Sequence, residues 1–287
     1  MSSFTMSFAA RRKYRASLAR QSRFDGFRLR EGAKSLVKAV LPAAVIRKVQ
    51  ERRRRWSRRP PVGWIRFGSL RRVRPIDANF GFGYGQVIDR YYIEQFLERH
   101  ATDVRGRVLE VAEDTYTRRF GGARVCRSDI LYCGAGNPKA TIIADLTDGR
   151  AIEAEIFDCI ILTQTLQFIY DVRAAVRTLH RILRPGGTLL ATGHGISRIS
   201  RYDMDRWGEY WRFTSLSARR LFEERFPADH VSVCAYGNVL AAAAFLHGLT
   251  AQELRRRELD YHDPDYEVVI GIRAVKPGSS TGAPGRS

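Results

Sequence analysis

Three groups of residues in this 287-residue chain carry chemistry by type and spacing. The first is an acidic pair: Glu110 lies in the apolar run Val108-Leu109-Glu110-Val111-Ala112, and Asp129 follows 19 positions later. In an open parallel sheet ligands bind beyond the carboxyl ends of the strands, and an acidic residue at about that spacing accepts hydrogen bonds from ribose hydroxyls. A surface turn is the other reading of Asp129. The second is His194, which falls just after an apolar strand at that same edge. An imidazole ionises near neutrality and suits a general base for a hydroxyl; a loop histidine without chemistry is the plainer reading. The third is the segment 200–213, SRYDMDRWGEYWRF, where Tyr202, Trp207, Tyr210 and Trp211 are interleaved with Asp203, Asp205, Arg206 and Glu209. Aromatic faces beside carboxylates suit a sugar, whose C–H faces stack on rings while its hydroxyls meet charged partners. An amphipathic lid helix with its aromatics in the core would give the same pattern.

Positioning these groups requires a sheet, and the stretch 157–191 supplies its clearest unit. FDCIILTQTLQFIYDVRAAVRTLHRILRPGGTLLA reads as buried strand, turn, amphipathic helix, Pro-Gly-Gly turn and second buried strand. Strands are predicted at 107–112, 124–127, 140–144, 158–163, 188–191, 231–235 and 266–275. Helices are predicted at 88–99 and 251–257. Strands alternating with crossovers imply a parallel sheet with helices on both faces, joined right-handedly.

The formal charge of +19 is confined to one end. Residues 1–74 hold 22 of the 49 Lys and Arg but only 3 of the 30 Asp and Glu, so the remainder is electrically balanced. The basic character therefore says nothing about what the body binds, and nucleic acid is disfavoured as a substrate. Residues 1–60 read as a basic arm, disordered over 1–34. A helical period over 35–50, interrupted by Pro42 and followed by Arg52 to Arg55, suits an anionic membrane surface; a solvated basic linker is the alternative. Residues 61–106 form a lead-in with the helix at 88–99, 107–276 the catalytic domain, and 277–287 a Gly/Ser-rich tail. No apolar run reaches the roughly 18 residues of a membrane span. Four cysteines without a Cys-x-x-Cys pair read as reduced thiols of a cytoplasmic protein, with no metal site.

The ordered words VLEVAEDTYTRRFGG, the strand beginning Phe157-Asp158, and HRILRPGG before a strand resemble class I S-adenosylmethionine-dependent methyltransferases. They are most similar to a bacterial methyltransferase subgroup associated with glycan modification. The resemblance implies an α/β, Rossmann-like, seven-stranded, mostly parallel sheet whose last two strands form a hairpin. It also implies S-adenosylmethionine as cofactor and methyl transfer, O-directed, to a saccharide or other small molecule. Glu110 matches the family's acidic position, while Ala112, Asp114 and Tyr116 stand where the general pattern has three glycines. A small residue at 112 keeps the loop if its φ is negative. By resemblance Asp145 accepts from the adenine amino group, Leu146 packs on that ring, Thr163 borders the sulfonium, and Arg90 or a neighbouring Tyr reaches the cofactor carboxylate. Asp145 as a helix cap is the alternative. The departure at Ala112 and the absence of an acid or base at Gln167-Phe168 leave an inactive methyltransferase fold, serving as a binding or scaffold module, as the rival.

Overall fold

The computed structural model describes residues 43–58 and 60–278. The disorder expected for 1–34 and most of the tail lie outside the described residues, as does the predicted helix before Ala43. The chain divides into two compact units, Met1–Arg71 and Arg72–Ser287.

In the first unit, α1 (Ala43–Ser57) runs seven residues past the predicted end, and a 3₁₀ turn follows at Gly68–Leu70.

The second unit is built on a seven-stranded sheet in the order β3-β2-β1-β4-β5-β7-β6. Its strands are β1 (Gly106–Val111), β2 (Val125–Tyr132), β3 (Ile142–Ile143), β4 (Phe157–Thr163), β5 (Leu183–His194), β6 (Val231–Tyr236) and β7 (Val269–Val275). β1 to β5 pair in parallel, and β7 is antiparallel to both β5 and β6. This is the mostly parallel α/β sheet expected. Its last two strands do pair, although a long helical connection rather than a tight turn joins them. The strand order reverses direction between β1 and β4, which is where an open α/β sheet opens a ligand crevice.

Alternation along β4 shows why the sheet is covered on both faces. Ile160 and Leu162 enter one core with Leu189 and Ala191 of β5, whereas Cys159 and Ile161 enter the other with Leu190. The first core is completed by α3 (Val172–Ile182) and α5 (Ser215–Glu223), the second by α2 (Ile88–Arg99) and α6 (Val239–Leu246). Ala175, Val176, Leu179 and Ile182 form the buried stripe of α3. Its first turn is capped by Asp171, whose carboxylate accepts from the Ala174 amide at 2.9 Å. At the other end Arg181 donates to the carbonyls of Gly149 and Ile152 at 2.6 and 2.8 Å. These contacts aim the β4–α3–β5 unit so that β4 and β5 end side by side, Thr163 opposite Thr192.

β3 is confined to Ile142–Ile143 and β7 starts at Val269, both shorter than predicted, and three other elements shift further. β5 begins at Leu183, which pairs with Phe157, so the Arg184-Pro185-Gly186-Gly187 segment is already extended. Gly186, at φ +79°, donates its amide to Lys276 O at 2.9 Å, tying the segment to the end of β7. The predicted helix 251–257 is instead a 3₁₀ turn (Ala251–Glu253) and the short α7 (Arg256–Leu259). β2 continues to Tyr132, five residues beyond its predicted end, with consequences for Asp129.

Candidate functional site

The loop after β1 is organised by Glu110. Its buried carboxylate accepts from the Tyr116 amide at 3.2 Å and from both the amide and hydroxyl of Thr117 at 2.7 Å. Burial pushes this carboxyl up to about 7, outweighing those three hydrogen bonds, which pull it down. Glu110 therefore shapes the loop from beneath.

Ala112 departs from the expectation of a negative φ: it sits at φ +69°. Its amide donates to Leu131 O at 2.9 Å, and its carbonyl accepts from the Asn137 side chain at 2.7 Å, so the loop is pinned in the conformation a glycine adopts freely. A Cβ in left-handed backbone costs roughly 1–2 kcal/mol. Ala112→Gly is accordingly expected to raise unfolding stability by about 1 kcal/mol in urea titration.

Asp129 is not at the carboxyl end of β2 but within the strand, buried, opposite Leu109. Its Oδ2 accepts from Arg107 Nε at 2.7 Å, and its Oδ1 from Thr141 Oγ1 at 3.1 Å and Arg127 Nη2 at 3.2 Å. Both oxygens are occupied by a structural ion pair, which removes the ribose role. Asp145 is exposed and accepts from the Thr147 amide at 2.7 Å, so one oxygen serves a local turn, and no helix follows for it to cap. Leu146 belongs to the hydrophobic core beside Ile152 and Val176, which leaves it no open face for a ring.

The ends of β4 and β5 meet the first turn of α2 in a buried polar chain. His194, the last residue of β5, has Nε2 3.5 Å from Asp89 Oδ2 and Nδ1 3.4 Å from Gln167 Nε2. The Gln167 amide also donates to Gln164 Oε1 at 3.1 Å. An amide nitrogen can only donate, so Nδ1 is the acceptor and the ring carries its proton on Nε2, facing Asp89. Burial pushes the Asp89 carboxyl up, but the His194 hydrogen bond and the Arg90 charge bring it below its ordinary value. Asp89 Oδ1, Gln164 Nε2 and Gln167 Oε1 are buried without a hydrogen-bond partner among the described residues. Such groups are rare in a finished core and normal where a polar ligand completes them. Gln164 holds φ +48°, a further mark of a constrained position next to Thr163.

Arg90, one residue on from Asp89, turns toward the β1 loop and donates to Tyr116 Oη at 3.1 Å, leaving most of its guanidinium donors open. The glycine-rich segment Gly81 to Gly85 precedes this helix and is tied to residues 247–252: Gln86 donates to Gln252 Oε1 at 3.0 Å, and Gln86 O accepts from Ala251 N at 2.8 Å.

Of the aromatics of the 200–213 segment, Tyr202, Trp207, Tyr210 and Trp211 are exposed, whereas Phe213 enters the first core. α4 (Arg201–Trp207) buries none of its residues. Trp207 meets Tyr132, at the end of β2, edge-on at 5.9 Å. Trp211 stacks on Tyr170 at 6.0 Å and donates its indole N–H to Ile169 O at 3.0 Å, and Tyr210 packs edge-on against Tyr170 at 5.4 Å. The Tyr210 amide donates to Gln167 O at 2.8 Å, which fastens this rim to the buried polar chain. Tyr202 lies under the Arg206 guanidinium, and the Asp203 amide caps onto Ser200 Oγ. Glu209 is removed from any ligand role, because it is buried against Arg212 at 2.8 Å and the Ser200 amide.

Asp89, Gln164 and Gln167 were not singled out by sequence as site residues. Their signal is faint: two glutamines three residues apart inside an otherwise apolar stretch, and an acid directly after the first apolar residue of a helix. A separate cavity of about 850 Å³, lined in part by Arg99, Cys234, Tyr236 and Asp260, lies along β6, two strands from β5, and contains none of these groups.

The residues fit the sulfonium cofactor implied by resemblance. The β1 loop holds glycine-like backbone at Ala112, three buried polar atoms lack partners, and Arg90 offers cationic donors between them. Residues 78–191 match the family model described as "Methyltransferase domain". No curated protein matches the chain. Solved structures similar to it include a SAM-dependent methyltransferase from Archaeoglobus fulgidus (9% identity, 65% of this chain and 94% of that one, TM-score 0.44). Others are the N-methyltransferase NodS from Bradyrhizobium japonicum WM9 (15%, 66% and 97%, TM-score 0.42) and an S-adenosylmethionine-dependent methyltransferase from Mesorhizobium loti (15%, 66% and 98%, TM-score 0.43). The match over residues 78–191, together with the strand order, supports a class I S-adenosylmethionine-dependent methyltransferase with S-adenosylmethionine as its cofactor.

Proposed function

We propose that this chain transfers a methyl group to a hydroxyl oxygen of a saccharide or other small-molecule acceptor, with His194 as general base. The observation that carries this reading is the buried Asp89, His194 and Gln167 chain at the ends of β4 and β5. Bound S-adenosylmethionine supplies an electrophilic methyl group on a sulfonium, and what remains for the protein is alignment and one proton.

Arg90 is placed to hold the cofactor carboxylate. Thr163 and Gln164, at the end of β4, supply short polar groups and the unpartnered Gln164 amide beside the reacting centre. Asp89 keeps the His194 proton on Nε2, so the Nδ1 lone pair is the base. An acceptor hydroxyl that donates to Nδ1 replaces the long Gln167 contact of 3.4 Å and passes its proton to the ring as the oxygen attacks. Trp207, Tyr210, Trp211 and Tyr170 form an exposed aromatic rim on which sugar C–H faces can stack, with the exposed Tyr202 and the partly buried Asp203 on α4. The four cysteines are all free, which suits a reducing, cytoplasmic setting.

The test is a transfer assay with methyl-labelled S-adenosylmethionine against nucleotide sugars, oligosaccharides and small alcohols. Label should appear on a saccharide hydroxyl and be lost in His194→Gln. Binding of cofactor without transfer to any member of the panel would instead favour the inactive binding-module reading.

A further inference from the structure

The first unit presents a helix face that its described residues leave largely exposed. At about 100° per residue, Val45, Val49 and Trp56 fall within roughly 40° of one another on α1. Val49 and Trp56 are 58% and 59% exposed, and Val45 is exposed as well. The chain then folds back, with Val62 donating its amide to Arg55 O, and brings Trp64 against Trp56 edge-on at 6.0 Å, Trp64 itself 65% exposed. Around this apolar stripe stands dense positive charge: between Ala43 and Arg71 there are ten Lys and Arg and one acid, Glu51.

We propose that α1 and the turn after it form an interfacial anchor that lies in the headgroup layer of an anionic lipid bilayer. A stripe of valines and tryptophan flanked by arginines has the chemistry of that layer. Apolar side chains and indoles enter the headgroup and acyl boundary, while guanidinium groups stay at lipid phosphates. Charge complementarity favours an anionic leaflet. The helix lies on the surface and does not cross it, since no helix among the described residues is long and apolar enough to span a membrane. A polynucleotide would satisfy the arginines but leave the Val45 and Val49 stripe in water, which is why lipid is the better occupant.

The test is flotation of the full chain with vesicles of phosphatidylcholine alone and of phosphatidylcholine with phosphatidylglycerol. Anionic vesicles should capture the chain at least about tenfold more tightly than neutral ones, with capture weakening as salt rises. The triple variant Val45→Ser, Val49→Ser, Trp56→Ser keeps every charge and should lower capture about tenfold. Val49→Leu with Trp56→Phe preserves the apolar face and should retain capture, which separates loss of the stripe from loss of the helix. Equal capture by both vesicle types would overturn the proposal, as would undiminished capture of the serine variant. Displacement from anionic vesicles by duplex DNA or single-stranded RNA that binds the serine variant equally well would overturn it in favour of a nucleic-acid surface.

Discussion

His194→Gln should lower the rate constant for methyl transfer about 10²- to 10⁴-fold, the range expected when a positioned general base is removed. Cofactor affinity should stay nearly constant, because the groups proposed to hold the cofactor, Arg90 and the β1 loop, are untouched. Glutamine fills much of the imidazole volume and can still meet Asp89, so the core beside Phe213 and Phe245 should remain packed. Asp89→Asn tests the same arrangement one step back. An asparagine can present its N–H to His194 Nε2, which drives the ring proton to Nδ1 and removes the lone pair from the acceptor side. Single-turnover rates with saturating cofactor should fall about 10²-fold for this variant, with the acceptor KM little changed. A rate within a few-fold of the parent for both variants would leave His194 as a buried strand-end histidine without chemistry and remove the base from the mechanism.

Asp129→Ala should lower unfolding stability by about 3–5 kcal/mol in urea titration, because removing one partner strands the Arg107 charge against the sheet. Burial pushes the Asp129 carboxyl up, but the Arg107 hydrogen bond and charge, with Thr141 and Arg127, bring it below its ordinary value of 3.8. A carboxyl whose folded value is depressed stabilises the fold above its unfolded value, and that contribution disappears as pH falls through the folded one. Wild type should therefore lose stability as pH falls below about 4 by a component that the alanine variant lacks. Cofactor affinity of the folded variant should be near that of wild type. A variant of unchanged stability with much weaker cofactor binding would restore the ribose role to Asp129.

The misreading of Asp129 has a physical origin. The run Cys126-Arg127-Ser128-Asp129 is polar enough to resemble the end of a strand, yet β2 passes through it with Cys126 and Arg127 exposed and Asp129 neutralised across the sheet by Arg107. Spacing along the chain cannot show a partner contributed by another strand. Where one surface of an element is uniformly apolar, the reading carries directly into structure: α2 spans the predicted 88–99, and β4 differs from its prediction by one residue. Asp89 and His194 lie 105 positions apart and meet only because α2 packs across the sheet against β7 and brings its first turn to the end of β5. No local pattern encodes that pair. The aromatic segment shows the same limit, since its composition suggested a sugar surface while only the fold could decide between a buried lid and an exposed rim. At Ala112 the sequence identified the unusual residue, and the backbone supplied the sign of φ that it occupies.

The β1 loop, the end of β4 and the first turn of α2 are proposed to form a working sulfonium-cofactor site. Isothermal titration calorimetry with S-adenosylmethionine and S-adenosylhomocysteine, on the wild-type chain and on Arg90→Gln, tests it most directly. Micromolar binding of both ligands is expected, with a loss of about tenfold or more in the variant, the contribution of a charged hydrogen bond to a carboxylate. Absence of binding heat for either ligand in a folded wild-type chain would contradict it.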